Sequence, residues 1–203
     1  MNHVPNTAGR EGSGAQERLL KAAETCLLRD GFASLSTRSV AKVAGSPLSQ
    51  IHYHFGSKQG LVLALLDYQN TKLLARQAAT FASGAPLSER WLQACDFLEE
   101  DLRSGYVRVL QEIVAAGFSD TELASAARNV LSGWFVLLTD LATEAQTFYS
   151  ALGRLRPLEL ATLAGLAFLG AESMILIGMD LPIIQSLRAL AQILEEVERD
   201  HAR

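Results

Sequence analysis

The chain has 203 residues, a length that fits one large domain or two small ones. Apolar residues make up 49 %, enough for a sizeable core, and five prolines among Ala- and Leu-rich stretches favour helices over strands. The net charge of −4 is uneven: residues 1–62 hold seven Lys/Arg against four Asp/Glu (+3), and residues 63–203 hold eleven against eighteen (−7). A basic head on an acidic body suits contact with a polyanion at one end only. No apolar run is read as long enough to cross a bilayer, because the nearest, Leu158 to Met179, is broken by Glu159, Glu172 and glycines. The opening MNHVPNTAGREGSGAQ lacks the apolar segment of a secretory signal, so a cytoplasmic location without a membrane partner is expected.

In chain order, residues 1–14 carry no periodicity and read as a disordered tail. The first helix is expected from Ala15 to Asp30, with Leu19, Ala23, Cys26 and Leu27 on its apolar side and Gly31 ending it as a left-handed cap. Ser36 caps a short second helix, Thr37 to Ala44, closed by Gly45. Ser46 as cap and Pro47 at the first position then start a third helix that runs to about Phe55. Gly56-Ser57 breaks it and Ser57 caps a long fourth helix, Lys58 to Phe81. Further helices are expected at about 88–103, 106–116, 121–151, 157–177 and 183–199, with no strand and no repeat. The eighth is apolar nearly all round, which predicts burial on most sides. Cys26 and Cys95 sit in apolar helical patterns and read as buried, reduced thiols; a redox role would need an exposed thiol beside a cation.

Two short helices joined by Gly45-Ser46 form a helix-turn-helix candidate. Its second helix must enter a major groove with an outer face able to bond base edges. Pro47, Leu48, Ser49, Gln50 and His52 make that face. Gln50 is the best base reader, since its amide can bridge adenine N6 and N7. Ser49 can bond any base, and Leu48 either touches a thymine methyl or packs under Ile51. Thr37, Arg38, Tyr53 and Lys58 flank the face as candidate phosphate contacts, Arg38 also as a guanine reader. His54 either joins them or packs beside Phe55.

The stretch LSTRSVAKVAGSPLSQIHYHFGSKQGLVLALLD resembles the DNA-binding segment of tetracycline-repressor (TetR) type regulators, which runs roughly T-x-R-x-I-A-x-x-A-G-V-S-x-x-x-L-Y-x-H-F-x-S-K-x-x-L. The match includes Arg38, Val40, Ala41, Ala44, Gly45, Ile51, His54, Phe55, Ser57, Lys58 and Leu61, and the similarity extends over about Ala15 to Asp67. Ser46, Pro47, Leu48 and His52 depart from the family pattern, so the base preference of relatives does not carry over.

The resemblance implies an all-α fold of about nine helices: a three-helix head over residues 15–62 and a ligand-binding, dimerising helical body over 63–203. It implies a homodimeric repressor that binds a pseudo-palindromic double-stranded DNA operator and is released by a small-molecule effector, without a cofactor or metal. The family's pocket position points to Trp91, Phe97, Tyr106, Leu110, Trp134, Phe135 and Leu138, residues that read equally as core. Glu172, inside an apolar helix, either holds a polar ligand group, faces solvent or pairs with Arg154, Arg156 or Arg188; an ion pair at the interface is favoured. The last two helices are expected to form the dimer interface through Leu166, Leu169, Ile184, Leu187, Leu190 and Leu194, with Ala191 in the same stripe. No metal-spaced cluster, phosphate loop or nucleophile elbow supports an enzyme, and His3, His52, His54 and His201 all lie outside the body's core helices. The competing reading is a helical DNA-binding or interaction protein with no effector.

Overall fold

The computed structural model describes residues 7–201. Among them it holds nine α-helices, one short 3-10 turn and no strand. The chain divides into two compact units, one up to Gln69 and one from Asn70 onward.

The first unit contains α1 (Thr7–Ser34), α2 (Thr37–Ala44), α3 (Leu48–Phe55) and the beginning of α4 (Lys58–Phe81). The helix of α1 begins at Thr7, which corrects the expectation of an unstructured stretch as far as residue 14; residues 1–6 of that expected tail lie outside the described residues. Extending an existing helix costs less than nucleating one, so a polar, glycine-bearing stretch can follow the helix that Ala15 onward nucleates. Gly31 adopts φ 75°, ψ 169°, a region only glycine enters freely, and breaks α1 into a long rod and a final turn. Ser36 caps α2 by accepting from the Ser39 amide at 3.1 Å. Gly45 closes α2 in the left-handed region, as its position after Ala44 predicts. The start of α3 is one residue later than expected: Pro47 is the N-cap residue, and the Ser46 hydroxyl faces the Ala44 carbonyl instead of capping. Proline at the cap still fixes the chain's entry without needing an N–H.

Leu19, Ala23, Cys26, Val40, Ile51, Leu61 and Val62 are fully out of solvent and tie the helices of this unit together. Each large apolar side chain so buried contributes roughly 1.5–3 kcal/mol. The α3–α4 junction is tight. A Cβ on Gly60 would lie 2.1 Å from the Phe55 carbonyl oxygen, and the Gly60 amide donates to Ser57 Oγ at 3.0 Å.

The second unit contains the rest of α4, then α5 (Leu87–Ser104), α6 (Tyr106–Ala116), α7 (Thr121–Phe148), α8 (Pro157–Leu176) and α9 (Ile183–His201). Asp120 caps α7 by accepting from the amides of Glu122 and Leu123. α7 stops at Phe148 and a 3-10 turn, Ser150–Arg154, follows where the helix was expected to continue. Cys95, Leu98, Val107, Phe168, Ala171 and Leu187 form the core where α5, α6, α8 and α9 meet. Both thiols are buried and free, and burial pushes that of Cys95 up to about 11, so it is an inert packing group.

α8 departs from its expected burial. Ala161, Gly165, Phe168 and Ala171 face inward, but Leu158, Leu163 and Leu166 are 60, 59 and 57 % exposed. Apolar residues all round a helix fit a helix with an uncovered side as well as a buried one. α8 is also long and apolar enough, by length and composition alone, to cross a membrane, where the sequence had been read as containing no such run. Its glycines and alanines do not offset its leucines on the hydropathy scale, and two glutamates are tolerated over that length. On α9, Leu187 and Ala191 turn into the unit's own core and Ile184 packs against it, while Leu190 and Ile193 are exposed.

Candidate functional site

Ile51 anchors α3 with no exposed surface, and helical spacing then turns Ser49, His52 and Tyr53 outward, where all three are exposed together with Pro47. Tyr53 is 82 % exposed, which fits a group held for an external contact. Gln50 and Leu48 are half-buried at the edge of this face. His52 Nδ1 lies 3.1 Å from the Gly56 carbonyl oxygen, so its other ring nitrogen is the one left for a contact outside. His54 is half-buried, its ring 5.0 Å from that of Tyr53 and 5.9 Å from that of Phe55, which places it in packing. On α2, Arg38 is exposed and Thr37 half-buried. Lys42 is exposed as well, a cation the sequence reading did not select. Lys58 turns back onto its own unit: its ammonium donates to the Ala33 carbonyl at 3.3 Å and sits 5.0 Å above the Phe32 ring. An ammonium has three donors, so a phosphate contact from Lys58 would share it with this bond.

The second unit encloses a cavity of about 80 Å³. Tyr106, Leu110, Trp134, Leu138 and Glu172 are among the residues that line it. Phe97 does not: it is buried elsewhere, with the Arg76 guanidinium 4.2 Å over its ring. Phe135 is also absent from the wall and packs toward Gly165. Leu169, expected at an interface between subunits, faces this cavity instead.

Among the described residues Glu172 pairs with none of Arg154, Arg156 and Arg188 of its own chain. Arg156 pairs with Glu159, and Arg188 with Asp96 and Glu99. Glu172 instead accepts from Gln111 Nε2 at 2.7 Å, and the Gln111 amide is fixed by Ser173 Oγ at 2.9 Å. Burial, with a smaller contribution from Asp101, raises the Glu172 carboxyl to about 7. Tyr106 donates to Asn70 Oδ1 at 3.3 Å, and burial raises its phenol well above the ordinary range.

Residues 19–65 match the family model described as "Bacterial regulatory proteins, tetR family". The head is similar to the DNA-binding segment of that family. No curated protein matches the chain. Several solved structures share its fold. The reduced form of NemR from E. coli aligns over 88 % of this chain and 95 % of its own, at 20 % identity and TM-score 0.71. A transcriptional regulator from Saccharomonospora viridis in complex with choline covers 91 % and 96 %, at 21 % identity and TM-score 0.73. FadR from Bacillus subtilis in complex with stearoyl-CoA covers 88 % and 96 %, at 15 % identity and TM-score 0.65.

Within this tetR-type fold, several cavity residues escaped the sequence reading. Asn70 and Gln77 come from α4, and Asp101 from α5. Their signal was a polar residue interrupting the inner face of an otherwise apolar helix, visible only once the facing helices are known. Phe168 and Trp91 complete the wall, with ring centroids 5.2 Å apart.

Proposed function

We propose that the chain is a DNA-binding transcriptional repressor that works as a homodimer and is released from a pseudo-palindromic operator by a small molecule held in the second unit. The observation that carries the first part is the outward face of α3. Ser49, His52 and Tyr53 stand in solvent on a helix whose opposite side is locked by Ile51, and exposed Arg38 and Lys42 flank them from α2. Polar groups there read bases, and the cations and Tyr53 hold phosphates.

Dimerisation is supported by the uncovered apolar side of α8 and α9. Leu158, Leu163, Leu166, Ile177, Leu190 and Ile193 are exposed, large apolar side chains that a partner helix would cover. Two copies of α3 would then read two half-sites about one helical turn, roughly 34–36 Å, apart. The effector reading is supported by the cavity and by α4, which supplies Asn70, Leu73, Gln77 and Phe81 to its wall and begins at the end of the helix-turn-helix. A ligand that favours one position of α4 shifts the DNA-binding equilibrium by its differential affinity. The fold accommodates choline in one solved relative and stearoyl-CoA in another, so ligand chemistry is set by each chain's own lining.

The test is fluorescence anisotropy of the full chain on the duplex immediately upstream of its own coding sequence, titrated with salt. Affinity should fall steeply with salt, and Gln50→Ala should change the preferred sequence while Arg38→Ala weakens all sequences. Binding that ignores both substitutions would refute the reading.

A further inference from the structure

The cavity of the second unit has a chemical bias. Its walls are leucines and aromatic rings: Trp134 meets Phe168 edge-on at 6.1 Å, and Phe168 meets Trp91 at 5.2 Å. The bias lies in its polar groups. Among the described residues Arg90 is the one cation on the lining, and it is spent on its own chain: it donates to the carbonyls of Phe81 and Ala85 and pairs with Glu144 at 2.8 Å. Asp101 is neutralised by Arg76, which bonds both its oxygens. Glu172 has no cationic partner among the described residues; its neighbour is the neutral amide of Gln111. Gln77, 9 % exposed, lines the same space with a buried Oε1 that receives no hydrogen bond. Among the described residues the cavity therefore offers one carboxyl without a cation, one unfilled acceptor and several aromatic rings, and no spare cation.

We propose that the effector is a small aromatic or alkyl primary amine, bound as the ammonium, with its N–H groups on Glu172 and Gln77 Oε1 and its apolar body against Trp91, Trp134 and Phe168. An ammonium supplies the donor that Gln77 Oε1 lacks and a charged donor to Glu172, whose one donor is the neutral amide of Gln111. It restores charge balance to a buried carboxylate. It gains further from the negative faces of the rings. A carboxylate or phosphate ligand would meet Glu172 with no cation to offset it, and a neutral alcohol would satisfy only one acceptor. The cavity's volume of about 80 Å³ limits the body to about one ring or a short chain. This inference rests on the reading of the cavity as the effector site and names the chemistry of that site.

The chain's two tryptophans, Trp91 and Trp134, both line the cavity, so intrinsic fluorescence reports directly on its occupation. Phenethylamine, phenethyl alcohol and phenylacetate, nearly equal in size, are titrated into the full chain near neutral pH. Phenethylamine should bind about tenfold or more tighter than the alcohol, with phenylacetate weakest. Glu172→Gln should bring the amine-to-alcohol ratio down to about one, because the charge-assisted bond is lost while the apolar contacts stay. The ratio is taken within each protein, so a general loss of structure lowers both affinities without producing that change. Gln77→Leu, which removes the second acceptor and leaves the carboxyl, should reduce the ratio only in part. Alcohol binding equal to or tighter than amine binding in the wild type would overturn the amine proposal and leave the effector site standing. A ratio unchanged by Glu172→Gln would do the same. Absence of any fluorescence response to all three probes would overturn both.

Discussion

Replacing Glu172 by Gln isolates the cost of burying one carboxylate. Its carboxyl titrates at about 7 in the folded chain against an ordinary value of 4.5, and burial is the main cause. The folded state therefore holds this proton where the unfolded chain has released it. Between those two values folding takes up a proton, so stability falls as pH rises through the window and stays low above it. The gap amounts to about 3 kcal/mol at most, less whatever relaxation admits water to the charge. Glutamine keeps the shape and still accepts from Gln111 but carries no charge. At about pH 4 the variant and the wild type should melt together, and above about pH 7 the variant should be more stable by ~1–3 kcal/mol. At roughly 2–4 °C per kcal/mol for a domain of this size, that is a rise in Tm of about 3–10 °C. Melts followed by circular dichroism over a pH series read the difference directly, without ligand. Parallel curves for the two proteins, or a variant that is less stable above neutrality, would refute the assignment of Glu172 as a buried carboxyl without a cationic partner.

Other outcomes follow from the same packing. Gly60→Ala places a methyl 2.1 Å from the Phe55 carbonyl and should cost about 1–3 kcal/mol in the first unit, read as lost cooperativity or lowered Tm in a chemical melt. Ile51→Ala removes the anchor of α3 and should cost about 2–5 kcal/mol, weakening DNA binding through loss of structure. Leu166→Glu puts a charge on the uncovered side of α8 and should convert the proposed dimer to a monomer in analytical ultracentrifugation while the helical signal is retained. Arg38→Ala should reduce the slope of log affinity against log salt by about one if the guanidinium neutralises one phosphate.

Much of the fold was legible because local signals agreed with the global arrangement. Ser36 and Asp120 cap their helices through side-chain bonds, and Gly45 and Gly105 end theirs at positive φ. Of the outer face expected from helical spacing, Pro47, Ser49 and His52 are exposed, while Leu48 and Gln50 are half-buried. What failed needed knowledge of the facing element. Leu169 and Leu187 share apolar character with Leu166 and Leu190, and only the packing of α8 and α9 on the other helices decides which pair turns inward. Arg188 was read as a partner for Glu172, but a long side chain takes the carboxylates its own helix faces, here Asp96 and Glu99 on α5. Lys58 fits the family pattern in sequence, while its ammonium is held by the Ala33 carbonyl and the Phe32 ring. The cavity was foreseen in part through its aromatic residues. Its polar determinants on α4 and α5 were not, because Asn70, Gln77 and Asp101 look like ordinary surface positions until the helix is placed.

The most direct trial of α3 as a groove reader is selection of bound duplexes from a random pool by the full-length chain. Two symmetry-related copies of the face predict enrichment of an inverted repeat with half-site centres about 10 base pairs apart, or a multiple of that spacing. Gln50→Ala should return a motif altered at the same position in both halves. A pool that emerges without a motif, or one enriched for a motif that Gln50→Ala leaves untouched, would contradict it.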